Sequence, residues 1–348
     1  MAPQPKGPEN RRRPEPKVNA SGSSMSMEMV LNDDIGRTLA SRYQITRVIG
    51  EGGMGVVYEA EHIDIDRKVA LKILRFDLSQ EPKMAQVFRD EARAASRVGS
   101  KNIVEIYDFG ELSDGRLFFC MELIPGGDLV PATEDDWIEP PRLIGLLRQI
   151  CKGLAAAHKA GIIHRDIKPE NIIIVNEEGR EVVKIVDFGI SAMVAAAGGK
   201  GGGTIAGTPH YMAPEQISGE EFDGRLDIYA LGCVLYYMVT SRPVFNERDA
   251  PSLLRAHVER EPTPPSEQLS QPLPYYVETV IMRCLAKDPK LRYQNVEALV
   301  RAIDLCRRLH DNDRRRGTTE IAPKVRDTII KVEEWSDQGD TATDLSLD

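Results

Sequence analysis

The chain has 348 residues and 41% hydrophobic content, enough for one large or two smaller domains with a sizeable core. A formal net charge of −9 argues against a general nucleic-acid or anionic-membrane binder. Cys120, Cys151, Cys233, Cys284 and Cys306 are scattered, odd in number and form no Cys-x-x-Cys, which fits reduced thiols in a cytosol.

Residues 1–42 are rich in Pro, Ser, Met and charge, with a basic triplet at Arg11-Arg12-Arg13, and read as a disordered tail. The start, Met1-Ala2-Pro3-Gln4-Pro5, has no apolar signal core. Structure is expected from Tyr43. Gly50, Gly52 and Gly55 then form Gly-x-Gly-x-x-Gly. Glycines let backbone N–H groups approach phosphate oxygens without a Cβ clash. Alone, this spacing fits a dinucleotide-binding turn or a plain hairpin. A dinucleotide turn should open a helix. Here the chain continues into Val56-Val57-Tyr58 and Lys68–Leu74, both strand-like, so a glycine-rich hairpin over a nucleotide is expected.

Alternation along Val69–Leu74 puts Ala70 and Lys72 on one face. A snorkelling surface lysine is the alternative for Lys72. Residues 81–98 read as a helix, with Met84, Val87, Glu91, Ala94 and Val98 on one stripe. A carboxylate there needs a partner, because an unpaired buried charge is costly. Lys72 is the candidate, and Arg93 or Arg97 in water is the alternative.

Strands are expected at 103–109 and 117–122, and Pro125-Gly126-Gly127 marks a boundary. Beyond it the chain turns mainly helical. Leu143, Leu146, Leu147, Ile150, Leu154 and Ala157 form one helical face that Gly161 ends. The loop His164-Arg165-Asp166-Ile167-Lys168-Pro169-Glu170-Asn171 follows. Asp166 is suited to accept a proton from a hydroxyl, Lys168 to balance phosphate charge, and Asn171 to ligate a hard cation such as Mg²⁺. A polar surface loop is the alternative, and His164 itself reads as a packed histidine. Lys184-Ile185-Val186 leads as a strand into Asp187-Phe188-Gly189.

The tract Ala195–Gly203 is of low complexity and is expected to be flexible. Gly207–Glu215 closes that segment. Arg225–Gly232 opens an apolar helix through Val239, the longest apolar stretch, too short to span a bilayer. Asp227 near its start reads as a structural aspartate or an N-cap. Further helices are expected near 250–259, 276–286 and 296–309. Residues 311–348 become charged and finally acidic, a second expected disordered tail. There are no internal repeats.

From Tyr43 to Leu309 these motifs, in this order, resemble the protein kinase family. Lys168, two residues after Asp166, is similar to serine/threonine kinases. Gly-Glu-Gly-Gly-Met-Gly-Val-Val-Tyr and Tyr-Met-Ala-Pro-Glu-Gln resemble bacterial Hanks-type (eukaryotic-like) kinases. The resemblance implies an α+β bilobal protein kinase fold at 43–310. It has a small β-rich N-lobe (43–124) with one helix and a larger, mainly helical C-lobe (125–310). It implies transfer of the ATP γ-phosphoryl group to protein Ser/Thr hydroxyls, with Asp166 and Lys168 catalytic. Nucleotide contacts fall to Ile49, Gly50, Glu51, Gly52, Gly53, Met54, Gly55, Val57, Ala70, Lys72 and Glu91. Met121 would be the gatekeeper, and Glu122, Leu123 and Ile124 the hinge. Asn171 and Asp187 would hold Mg²⁺, with Mn²⁺ as an alternative.

The resemblance further implies a buried Glu215–Arg292 pair, an Asp227 bond to the catalytic-loop backbone, and Asp128 facing ribose or a basic substrate residue. Asp128 and Glu170 together suggest a preference for basic residues N-terminal to the target. Thr204 is the expected autophosphorylation site, its phosphate facing Arg165. Thr318 with Ile321, and Thr341 with Asp344, are candidate phosphothreonine docking sites for a forkhead-associated partner. A pseudokinase scaffold would show damage at Lys72, Asp166 or Asp187. A small-molecule phosphotransferase would lack Ala213-Pro214-Glu215 and Arg292. The expected protein acts on protein substrates in the cytoplasm, with no nucleic-acid partner and no membrane span; a receptor cut short of its membrane segment is the alternative.

Overall fold

The computed structural model describes residues 34–129, 138, 140–188, 209–270 and 272–316. Its first sheet grows from alternating apolar residues. Strands β1 (Thr38–Leu39), β2 (Tyr43–Gly52), β3 (Gly55–His62), β4 (Arg67–Leu74), β5 (Ile106–Glu111) and β6 (Leu117–Glu122) are antiparallel, in the order β1-β2-β3-β4-β6-β5. The period of two splits β4 between two apolar clusters. Val69, Leu71 and Ile73 pack with Tyr43, Ile45, Tyr58 and Phe118 on one face. Ala70 and Leu74 pack with Phe88, Ala92, Val104, Phe119 and Met121 on the other. That second face is covered by α2 (Pro82–Val98), which follows the single turn α1 (Phe76–Ser79).

The buried stripe of α2 is Met84, Phe88, Glu91, Ala92 and Ala95. Val87, Ala94 and Val98, expected on it, lie half-buried at its edge. The wide ring of Phe88 packs against Phe119 and Phe109 and turns the helix toward its own side. Gly99, with φ 58°, ends the helix in the left-handed conformation.

Order begins earlier than Tyr43. Asp34 is 2% exposed and takes both guanidinium nitrogens of Arg116 at 2.6 and 3.1 Å, while β1 pairs with β2. The polar composition of the segment hid a single charged anchor whose partner lies 82 residues away. β5 starts at Ile106 rather than 103. Ile103 instead bridges Ile185, and Val104 N–H donates to the Ile185 carbonyl at 3.0 Å. The two sheets are thereby tied together.

The rest is mainly helical: α3 (Pro140–Lys159), α4 (Pro214–Ser218), α5 (Arg225–Thr240), α6 (Ala250–Glu259), α7 (Tyr275–Cys284) and α8 (Val296–Arg316). A three-stranded sheet, β7 (Gly127–Asp128), β8 (Ile172–Glu177) and β9 (Arg180–Ile185), lies between α3 and the first sheet's edge. Helix α5 is buried nearly all round, as an apolar run of this length must be. A Cβ on Gly232 would stand 2.6 Å from the Cβ of Cys284, so glycine lets α5 and α7 touch. Helix α8 continues to Arg316, past the end expected at 309. Asp128 sits in β7, and Asp227 lies inside α5 and so is not its N-cap. No helix among the described residues is long and apolar enough to cross a membrane.

Candidate active site

The loop after α3 is held from behind. Gly161, with φ 78°, turns the chain out of the helix. Asp227, fully buried, accepts hydrogen bonds from the backbone N–H of His164 and of Arg165, each at 2.8 Å. Its carboxylate also pairs with His158 Nε2 at 2.7 Å. Burial alone would raise the Asp227 pKa, but the His158 contact and these N–H donors hold it below the usual carboxylate range. The Asp227 bond expected from sequence is therefore made. His158, six residues before His164, was not singled out there; its signal was a titratable residue in the last turn of a helix that precedes the loop.

His164 accepts the Asp166 N–H at Nδ1 (3.3 Å), which leaves Nε2–H to donate to the Val186 carbonyl at 3.0 Å. Its ring lies 4.6 Å from that of Phe188. Burial lowers its pKa, so it is a neutral brace between the loop and the Asp187 segment. Arg165, at φ 67°, points the next residue into the cleft. There Asp166 Oδ2 meets Lys168 Nζ at 3.1 Å, and Asn171 Nδ2 donates to the Asp166 carbonyl (2.8 Å) and to Oδ2 (3.2 Å). The Asn171 amide nitrogen is thus committed to Asp166, and its oxygen is the atom suited to a cation.

Across the cleft, β2 and β3 make the glycine hairpin, with Gly50 opposite Val57 and Gly52 opposite Gly55. Gly53 and Met54 form its tip. A Cβ on Gly55 would lie 2.0 Å from the Ile73 carbonyl oxygen, so that glycine is required by the neighbouring strand. Gly52 and Gly53 would place a Cβ in open space, so packing does not demand glycine there. Behind the hairpin, Met54, Val57, Ala70, Met121, Leu123, Ile124 and Val186 belong to one apolar cluster. Ala70 and Met121 are direct cross-strand partners, as are Lys72 and Val57. Ile49 is exposed at the hairpin's outer strand. Glu122 turns its carboxylate to Lys184 of β9 at 2.8 Å, an ion pair between the two sheets.

Lys72 lies on the inner face, 9% exposed, not on the surface. Its ammonium meets Asp187 Oδ1 at 2.7 Å. The pairing with Glu91 expected from sequence is not made. Glu91 is buried on α2, and its Oε2 has no hydrogen-bond partner among the described residues. One ammonium faces two carboxylates, and the nearer one, Asp187, takes it. Burial would raise the Asp187 pKa, but Lys72 holds it below the usual range. For Glu91 burial dominates: the attraction of Lys72 only partly opposes it, and the carboxyl is pushed well above its usual value. Burial thus favours the protonated form of Glu91 more than water does, while Lys72 favours the charged one. The Lys72 pKa, which burial would lower, is raised by Asp187 and Glu91 together.

Below the cleft, Arg292 and Glu215 form the expected buried pair, bidentate at 2.6 and 2.8 Å. The remaining guanidinium N–H groups reach the carbonyls of Ala286, Arg225 and Lys287. Gly189, Thr204, Thr318, Ile321, Thr341 and Asp344 lie outside the described residues.

The model of the protein kinase domain matches residues 43–302. Among curated relatives, the serine/threonine-protein kinase pkn3 of Myxococcus xanthus is 36% identical over 83% of this chain and 54% of its own length. PrkC of Bacillus subtilis is 40% identical over 76% of this chain and 40% of its own. The crystal structure of the Mycobacterium tuberculosis PknI kinase domain superposes with a TM-score of 0.60 at 25% identity, covering 77% of this chain and 97% of that one. The chain belongs to the protein kinase family, in its bacterial Hanks-type serine/threonine branch. It spans only about two fifths to a half of the length of these curated relatives.

Proposed function

We propose that this chain transfers the γ-phosphoryl group of ATP to Ser and Thr hydroxyls of proteins, itself included, in the cytoplasm. The observation that supports this best is the meeting of Lys72 from one wall with Asp187, which stands with Asp166, Lys168 and Asn171 on the other. Asp166 accepts the hydroxyl proton and orients the attacking oxygen. A positioned base of this kind contributes on the order of 10² to 10⁴-fold. Lys168, already beside Asp166, balances charge on the phosphoryl group as it passes. Lys72 positions the α- and β-phosphates. The apolar wall from Val57, Ala70 and Met121 to Ile124 excludes water from the base and sets the nucleotide's depth.

The donor set suits Mg²⁺. One carboxylate, Asp187, and one amide oxygen, Asn171, are few ligands, and Mg²⁺ prefers a few protein oxygens plus phosphates and waters. When bound, the ion neutralises phosphate charge. Gly52 and Gly53, free of any packing demand, leave the hairpin backbone bare for phosphate oxygens. Autophosphorylation at Thr204 is supported by Arg165, whose buried Nε has no hydrogen-bond partner among the described residues. Glu170, whose charge acts on His210 and Tyr211, supports the preference for basic residues near the target.

The test is incubation with Mg²⁺ and γ-labelled ATP plus a generic basic protein, followed by phosphosite mapping. Label on Ser and Thr that disappears in Asp166→Asn is the expected result. No label, or label that survives this change, sinks the reading.

A further inference from the structure

A groove of about 320 Å³ lies between α3 and α8. Pro141 and Gly145 of α3, both exposed, line it above the buried Ile144, with Arg148, Lys152, Arg307 and Asp311 around them. Gly145 sits in the middle of a 20-residue helix and is exposed. A Cβ there would meet nothing within 4 Å. Packing does not call for glycine, and glycine weakens a helix relative to alanine. A bare backbone at the floor of a groove suits the close approach of another chain. The rim has spare positive charge. Arg148 is committed to Asp304 at 2.9 Å, whereas Lys152 and Arg307 make no ion pair among the described residues. Asp311 offsets one of these two charges.

The chain itself carries a segment of matching chemistry. Beyond Arg316, apolar residues concentrate in Asp327-Thr328-Ile329-Ile330-Lys331-Val332-Glu333-Glu334-Trp335-Ser336-Asp337. Ile329, Ile330, Val332 and Trp335 are its apolar side chains. Four acidic residues against Lys331 leave it at −3. Beyond Arg316 it holds four of the eight large apolar side chains, the others being Ile321, Val325, Leu345 and Leu347. Ten residues lie between Arg316 and Asp327, so eleven chain steps give a reach of about 36–40 Å when extended. Arg307 and Asp311 stand on the very helix from which this segment leaves, so the linker is long enough. A tether of this length gives an effective concentration on the order of millimolar, so even weak intrinsic affinity fills the groove.

We propose that residues 327–337 dock in cis in the α3–α8 groove, with apolar side chains on the exposed Pro141 and the Gly145 backbone and with Glu333 and Glu334 toward Lys152 and Arg307. None of the groove's lining residues is a phosphoryl-transfer residue, so this inference stands or falls independently of the function proposed above.

Trp335 makes the test direct, because the chain has only two tryptophans. In the full chain carrying Trp137→Phe, acrylamide quenching of Trp335 is compared in buffer and in urea. Docking predicts quenching severalfold weaker in buffer, independent of protein concentration. Gly145→Leu, which fills the floor and favours the helix, should restore full quenching, and so should Lys152→Glu with Arg307→Glu. Glu333→Lys with Glu334→Lys changes no residue of the groove itself. It should free Trp335 alone and re-protect it when combined with the reversed rim. Full quenching in the parent chain overturns the proposal. Protection indifferent to the groove variants does so too, and protection lost on dilution assigns the groove to a second copy instead.

Discussion

Two groups of buried charge lie in this molecule, and they are finished to different degrees. Around Arg292 every guanidinium N–H has an acceptor: both oxygens of Glu215 and three carbonyls from α5 and the loop after α7. Around Lys72 one ammonium stands before two carboxylates, and Glu91 keeps an oxygen with no hydrogen bond among the described residues. Both groups carry the desolvation cost of buried ions. Only the first recovers it in full hydrogen bonding. The first has one arrangement and acts as a strut beneath the catalytic loop. The second has two available pairings for the same lysine, so its geometry is set by what else enters the cleft.

The largest effects should come from the reacting side. Asp166→Asn keeps the shape and the Asn171 contact but loses the base, and turnover should fall about 10² to 10⁴-fold. Lys72→Met should likewise abolish phosphoryl transfer while thermal melting stays cooperative. Near-normal turnover in either variant would mean that the unfinished cluster is not the reaction centre.

Arg292→Met is expected to act on stability instead. It strands the Glu215 carboxylate in the core, and breaking a buried pair costs about 3–5 kcal/mol. For a domain of this size the melting temperature should drop on the order of 10 °C. Adding Glu215→Leu should recover much of the loss, because the stranded charge is then gone. A double variant no better than the single one would show that the pair, and not the charge left behind, carries the effect.

How far the site could be read from sequence follows the same division. Motifs that need only local chemistry were legible: the catalytic loop, the alternation that turns Lys72 inward, and the glycine hairpin recognised because strands rather than a helix follow it. Glu91 was correctly placed on the buried stripe of α2. Its partner was not, because which of two carboxylates holds one ammonium is decided by distances of a few ångströms across the cleft. Asp34 was lost for the opposite reason. The apolar residues beside it, Val30, Leu31 and Ile35, show no strand or helix period, and Arg116 reaches it only through the folded sheet.

Glu91→Gln separates the two roles of buried charge more finely. The ordinary carboxyl value is 4.5, and the folded Glu91 lies well above it. Above about pH 4.5 the unfolded chain releases this proton while the folded chain retains it. The folded state then binds more protons, and stability falls as pH rises until the folded carboxyl also ionises. Glutamine carries no such penalty. The variant should melt no lower than the parent at pH 5, and its advantage should widen toward pH 8. Turnover should fall, since an amide cannot pair ionically with Lys72. Melting curves whose difference does not change with pH would mean that Glu91 is charged in the resting protein.

The smallest expected effect belongs to the ion pair between the two sheets, Lys184 with Glu122. Its lysine side chain is 11% exposed and its carboxylate 25%, so it is neither a sealed strut nor a free surface pair. Lys184→Met keeps the aliphatic packing of the stem on β9 and removes only the charge. Water reaches Glu122 and resolvates it, so the loss should be about 1 kcal/mol or less. The pair nonetheless joins the strand that enters the hinge to the strand that leads to Asp187. Its removal should therefore show more in nucleotide affinity than in melting temperature. A stability loss approaching that of Arg292→Met would break the comparison, because a partly wetted pair would then match a fully satisfied one.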